Sequence, residues 1–231
     1  MKTRSVLTTL ATFSLIAASA VPAHADVIRL SNFSHGYKAV NIAYNSGNPA
    51  TSFTEYVAAG EFFGTLNGSA FATFCVDIFQ EVNWNTSYGD YHLVDGAAKF
   101  GDAKATDLGR LVTGYGNLIG TGATADLQAT TSAAFQLAAW EIVSEAANTP
   151  YRLDGGAFKA WGGNAASALT LAQDWLDHLP TASRYDVDVM VSATTQDMMI
   201  SHKVPEPGSL ALALAGLGFL GFQRRRMVAP R

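Results

Sequence analysis

Cysteine is almost missing from this chain: its 231 residues include one, Cys75. No disulfide can therefore form within the chain. The sulfur is left with three roles, which are a buried thiol, a partner in an intermolecular bond, or a reactive group. The odd cysteine count is for this reason the most informative number in the composition.

Charged residues are also scarce. They make up 15% of the chain, against about 25% in typical soluble domains, and two apolar terminal stretches account for part of the deficit. The formal net charge is −4, and basic residues are concentrated near the two ends, so the body between them is more acidic still. This acidity argues against nucleic acid and anionic membrane surfaces as partners of the body.

Familiar signatures of catalysis are missing as well. The sequence contains no Gly-x-Ser-x-Gly nucleophile elbow. Its histidines lie on different segments without the spacing of zinc ligands: His35, His92, His178 and His202. We therefore expect a protein that is not an enzyme and that holds no metal or cofactor. A hydrolase with unrecognised acidic residues is the least favoured alternative.

The N-terminus has the three parts of a secretory signal peptide. Lys2 and Arg4 are followed by the mostly apolar stretch 6–20 and then by Ala23-His24-Ala25, a small-x-small cleavage site. The apolar stretch is too short and too rich in Thr, Ser and Ala for a membrane-spanning helix. We predict that residues 1–25 are removed and that the mature chain begins at Asp26.

The C-terminal residues 204–231 also follow a three-part order. A proline-rich motif precedes the apolar run Leu210–Phe222, which is close to the lower limit of about 17 residues for a transmembrane helix. A basic cluster follows and would stay cytoplasmic, which leaves the body on the outer side. The motif residues are Pro205, Glu206 and Pro207, and the cluster is Arg224, Arg225 and Arg226.

This order resembles the PEP-CTERM sorting signal of Gram-negative bacteria. The resemblance implies processing by exosortase, a membrane-embedded transpeptidase-like enzyme found in strains that make exopolysaccharide. It also implies an exported protein of the cell envelope or extracellular matrix, anchored at least transiently in the inner membrane. The alternative is a simple C-terminal anchor with a proline-rich hinge, and the two differ in whether the tail is removed.

Residues 26–203 are long enough for one domain, and their patterns predict an α+β fold. Strand-like runs come first, with Asn67-Gly68 as a strong hairpin signal, and helix-like periodicity follows in the second half. We expect an antiparallel β-rich domain with a helical portion. The predicted strands are 26–31, 39–44, 54–63, 70–79, 83–92 and 185–191, and the predicted helices are 98–115, 130–148 and 164–178.

Two segments of this domain suggest a specific chemistry. Cys75 and Asp77 lie in a predicted strand, and Gln136 lies among apolar residues of a predicted helix, where an unpaired amide would cost about 1–3 kcal/mol. A thiolate that attacked the Gln136 carboxamide would expel ammonia and leave an internal thioester. This requires a lowered thiol pKa or a base, and Asp77, on the same strand face by period two, is a weak candidate. The alternatives are an ordinary core cysteine and a core amide bonded to backbone.

The same segments resemble the thioester domains of bacterial surface adhesins. In those domains an aromatic-Cys pair on a strand joins the Gln of a Gln-x-Ala-x-Trp helix, and Cys75, Gln136 and Trp140 stand at these positions. Phe74, Phe135 and Trp140 would keep water from the bond, although Phe135 departs from the small or polar residue usual there. The resemblance implies a covalent adhesin that reacts with surface amines or hydroxyls. A matrix protein that binds exopolysaccharide through exposed Tyr, Trp and Asn is the alternative.

Overall fold

The computed structural model describes residues 25–146 and 149–204. Nearly all of the predicted signal peptide and the predicted sorting tail from Pro205 onward, with its transmembrane run, lie outside these residues. In the described part the chain forms nine strands and four α-helices. The strands are β1 (Asp26–Phe33), β2 (Lys38–Tyr44), β3 (Phe53–Ala59), β4 (Phe62–Leu66), β5 (Ser69–Cys75), β6 (Ser87–Asp95), β7 (Phe158–Trp161), β8 (Tyr185–Val191) and β9 (Met198–Lys203). The helices are α1 (Gly96–Phe100), α2 (Asp102–Tyr115), α3 (Ala125–Ser144) and α4 (Ala166–Asp177).

Six of the strands close into a barrel in the order β1-β4-β5-β9-β8-β6, and β3-β2-β7 form a separate small sheet. Every pair of neighbouring strands is antiparallel. With the four helices, this confirms the predicted α+β class and its antiparallel, β-rich character. No helix among residues 25–146 and 149–204 is both long and apolar enough to cross a bilayer.

The β4–β5 hairpin forms where the sequence predicts it. Asn67 and Gly68 have φ values of 51° and 81°, the left-handed region that a two-residue hairpin turn requires and that Asn and Gly tolerate best. Leu66 and Ser69 pair across the turn, and the register continues to Phe62 opposite Thr73. The turn therefore fixes which residues of β5 face the interior.

Helix α3 is the central element of the core. The Thr124 side chain caps its first turn by accepting a hydrogen bond from the Leu127 N–H. Its buried residues surround the helix on nearly all sides, as expected for a helix enclosed by other elements. Small side chains let α2, α4 and the strands approach closely; the fully buried alanines are Ala133, Ala134, Ala138 and Ala139.

Five predicted elements were wrong in extent. The predicted strand 83–92 is β6 (Ser87–Asp95), and the predicted helix 130–148 is α3 (Ala125–Ser144). The predicted strand 54–63 is two strands, because the chain leaves the small sheet near Gly60 and enters the barrel at Phe62. The predicted helix 98–115 breaks at Gly101, whose φ of 87° no helix accepts. The predicted strand 70–79 ends at Cys75. The short strand β7 and the final strand β9 were not predicted.

Candidate functional site

Cys75 and Gln136 meet in the interior. Cys75 is the last residue of β5 and is fully buried, while Gln136 lies in the middle of α3 and is 1% exposed. The Gln136 Nε2 amide donates a hydrogen bond of 2.7 Å to the Cys75 carbonyl, and Gln136 Oε1 accepts one of 3.1 Å from the Cys75 N–H. Both polar ends of the Gln136 carboxamide are thus hydrogen-bonded to the backbone of Cys75.

The strand pairing explains why a glutamine is needed there. Phe62 opposite Thr73 is the last β4–β5 pair, so β4 offers no residue opposite Cys75. Backbone groups two residues apart in a strand point to the same side. The Cys75 N–H and C=O therefore point to the side that β4 has left, and the Gln136 carboxamide takes the place of the missing strand residue.

The Cys75 thiol is protonated under ordinary conditions. It donates to the Asp77 carbonyl at 2.7 Å, and the Asp77 N–H lies 3.4 Å from the sulfur. Burial raises the pKa of the Cys75 thiol to about 12, and the carboxylates of Asp77 and Asp197 add to the increase. Of the two routes that the sequence left open, a lowered thiol pKa is therefore excluded, and reaction at the sulfur requires a base.

Asp77 lies beside the thiol, but not for the predicted reason. Because β5 ends at Cys75, the period-two argument does not apply to Asp77. Its Oδ1 accepts a hydrogen bond of 2.7 Å from the Phe79 N–H. Desolvation raises the pKa of the Asp77 carboxyl, and the nearby Asp197 raises it further. Asp77 therefore holds a proton more readily than an exposed aspartate does.

Aromatic side chains enclose the pair. The rings of Phe74 and Phe135 lie 4.5 Å apart beside it, and both residues are buried. Trp140 is 4% exposed and packs on Phe158, with ring centroids 6.4 Å apart. The structure thus brings together all six residues predicted for this site: Phe74, Cys75, Asp77, Phe135, Gln136 and Trp140.

A cavity of about 360 Å³ borders the segment that follows Cys75. Its walls include Asp77 and the aromatic residues Tyr44 and Phe79. An ion pair also lines it, in which Lys99 Nζ lies 2.5 Å from Asp197 Oδ2. This ion pair was not predicted from the sequence, because its two members lie 98 residues apart along the chain.

No three His, Cys, Asp or Glu side chains lie close enough to bind a metal within residues 25–146 and 149–204. Three of the described histidines, His35, His178 and His202, instead lie beside a Glu or Asp side chain; His202 Nδ1, for example, lies 3.4 Å from Asp188 Oδ2 on the neighbouring strand.

Comparison with known proteins bears on the C-terminal end. Residues 203–226 match the profile of the PEP-CTERM protein-sorting motif. The match includes the predicted motif and basic cluster, namely Pro205, Glu206, Pro207, Arg224, Arg225 and Arg226, all outside the described residues. No curated protein and no solved structure is significantly similar to the chain.

The motif implies an exported protein whose C-terminal sorting signal is recognised by an exosortase-type processing enzyme. The match begins at Lys203, the last residue of β9, so it defines how the protein is sorted, whereas the activity of the domain must be argued from the Cys75–Gln136 site.

Proposed function

We propose that the exported domain is a covalent adhesin of the cell envelope or extracellular matrix, and that Cys75 and Gln136 form its internal thioester. One observation carries the proposal: the buried carboxamide of Gln136 is hydrogen-bonded at both polar ends to the backbone of the only cysteine of the chain. The reactive carbonyl would react with an amine or hydroxyl of a surface ligand.

Formation of the bond is a balanced exchange. The Cys75 sulfur attacks the Gln136 Cδ, the C–N bond breaks, and the thiol proton leaves with the amide nitrogen as ammonia. The Cys75 N–H already donates to Gln136 Oε1 at 3.1 Å. This donor would stabilise the negative charge that develops on the oxygen in the tetrahedral intermediate.

The proton of the thiol needs an acceptor, because burial keeps the sulfur protonated. Asp77 is the candidate base, since its backbone N–H and C=O both contact the sulfur and its carboxylate is close enough to raise the thiol pKa. Its raised pKa fits a base that takes a proton and then releases it to the leaving amide.

The surroundings fit a bond that must survive until a ligand arrives. Neither Cys75 nor Gln136 is accessible to bulk water, and the adjacent residues Phe74 and Phe135 are buried with their rings in contact. The neighbouring cavity, with Asp77 and the Lys99–Asp197 ion pair in its walls, would give a small amine a path toward the segment after Cys75.

A second candidate is non-covalent binding of exopolysaccharide. Tyr37 and Trp84 are 50% and 40% exposed, and both pack on Phe33 with ring centroids 5.0 and 5.1 Å away. An exposed aromatic surface of this kind suits stacking against sugar rings. This candidate predicts that a Tyr37→Ala, Trp84→Ala variant loses retention on polysaccharide while the Cys75→Ala variant keeps it.

The adhesin proposal is tested by methylamine labelling of the exported protein. Isotopically labelled methylamine should become attached to Gln136, and one thiol should appear at Cys75. The Cys75→Ala variant is the matched control, because it keeps the Gln136 contacts with the backbone but cannot form the bond. Label found at Gln136 in that control, or no label in the wild type, would exclude the thioester mechanism.

A further inference from the structure

Trp140 has a buried polar group without an ordinary partner. The residue is 4% exposed, and its indole Nε1 has no hydrogen-bond partner within the described part of the chain. A buried donor left unpaired costs about 1–3 kcal/mol, so its retention in the core requires an explanation.

The position of Trp140 supplies that explanation. It follows Gln136 by four residues in α3, so both side chains lie on one face of the helix. The indole N–H lowers the pKa of the Cys75 thiol, against the larger effect of burial, which places it near the sulfur. No hydrogen bond joins the two groups, so the donor is close to the sulfur and still free.

We propose that the indole N–H of Trp140 is the hydrogen-bond donor that stabilises the Cys75 sulfur when it leaves the Gln136 acyl group. The inference rests on the proposed thioester and assigns Trp140 a chemical role in its opening, beyond covering the bond. The residue keeps a donor free in the ground state and uses it when negative charge reaches the sulfur.

The reaction that needs this donor is the transfer of the acyl group to an amine. The amine nitrogen attacks Gln136 Cδ, the C–S bond breaks, and the sulfur departs with the bonding electrons. The proton lost by the amine then converts the thiolate to the thiol, so the products are a substituted amide and Cys75–SH. The buried thiolate is a poor leaving group without a donor, since burial and the carboxylates of Asp77 and Asp197 oppose its charge.

Few other hydrogen-bond donors in the described part of the chain lie near the Cys75 sulfur. The Asp77 N–H lies 3.4 Å away and is the other donor in contact with it. Tyr91 is near enough for its ionisation to be affected by Cys75, but its hydroxyl donates to the Gln196 carbonyl at 2.7 Å. Lys99 is held by Asp197. Among these side-chain donors, Trp140 is thus the one without a hydrogen-bond partner.

The test compares Trp140→Phe with Phe158→Leu in the full-length exported protein. The first variant removes the N–H and keeps an aromatic ring. The second loosens packing around the same indole and keeps the N–H. We measure the rate at which methylamine opens the thioester, followed by release of the Cys75 thiol.

The two possible roles of Trp140 change this rate in opposite directions. If the N–H stabilises the departing sulfur, Trp140→Phe opens at least about tenfold more slowly than the wild type, as expected for one lost hydrogen bond to a charged group. If Trp140 only shields the bond, both variants admit methylamine more easily and open faster. A rate for Trp140→Phe equal to or above that of Phe158→Leu would overturn the proposal.

A second measurement separates this inference from the thioester itself. In a Gln136→Ala background no thioester can form, and the indole N–H signal of Trp140 is followed by NMR. Replacement of Cys75 by Ala in that background should shift the signal and speed its exchange with solvent. An unchanged signal refutes the indole–sulfur contact. A wild-type protein without a thioester refutes the proposed function, and the leaving-group role with it, even if the signal shifts.

Discussion

The Cys75→Ala substitution has a stability cost that depends on whether the thioester exists. A covalent bond between Cys75 and Gln136 closes a loop between residues 61 positions apart. Closing a loop of this length in the unfolded chain is worth about 4 kcal/mol at 25 °C in the chain-entropy treatment of cross-links. Loss of the buried sulfur adds about 1 kcal/mol. With the bond, Cys75→Ala therefore lowers the free energy of unfolding by about 5 kcal/mol; without it, by about 1 kcal/mol.

Urea unfolding of the exported protein distinguishes these two values. The wild type opened by methylamine is the matched control, because it loses the cross-link and keeps the Cys75 sulfur. It should be about 4 kcal/mol less stable than the closed wild type. A change of about 1 kcal/mol in the variant, together with no effect of methylamine, would refute the cross-link.

Three further predictions concern other parts of the chain. Burial raises the pKa of Glu141 from 4.5 to about 7. The stabilising effect of the protonated side chain is therefore complete below pH 4.5 and is lost as the pH rises through 7. In urea unfolding, Glu141→Gln should remove up to about 3 kcal/mol of this pH dependence, whereas the exposed control Glu55→Gln should not. Gly64→Ala should destabilise the barrel by about 1–3 kcal/mol or prevent folding, because a Cβ there overlaps the backbone of β1. The control is Gly155→Ala, which should change the thermal midpoint little because a Cβ there meets no other atom. Replacing Pro205–Pro207 by alanines should leave the tail uncleaved and the protein in the inner membrane, as seen by fractionation; normal processing would contradict recognition of the motif.

Local signals in the sequence predicted the elements that local physics determines. The Asn67-Gly68 turn requires positive φ values that few other residues adopt, and α4 and β8 follow from periodicity that needs no distant partner. The proximity of Cys75 and Gln136 was expected from a resemblance, and no local pattern fixed it.

Features that depend on distant partners were not predictable. Closure of the barrel rests on pairing of β5 with β9 and of β6 with β8, and a single sequence does not specify such partners. The place of Gln136 beside β5 depends on β4 beginning only at Phe62, which leaves Cys75 without a partner on that strand. The direction of the thiol pKa also required the structure, because it follows from complete burial.

The central claim is a covalent bond between the Cys75 sulfur and the Gln136 side chain, and peptide-level mass measurement of the denatured exported protein tests it most directly. We predict a cross-linked pair of peptides, one containing Cys75 and one containing Gln136, whose summed mass is lower by one ammonia, with no thiol available to maleimide. Separate, unmodified peptides and a maleimide-labelled Cys75 in freshly exported protein would contradict the claim.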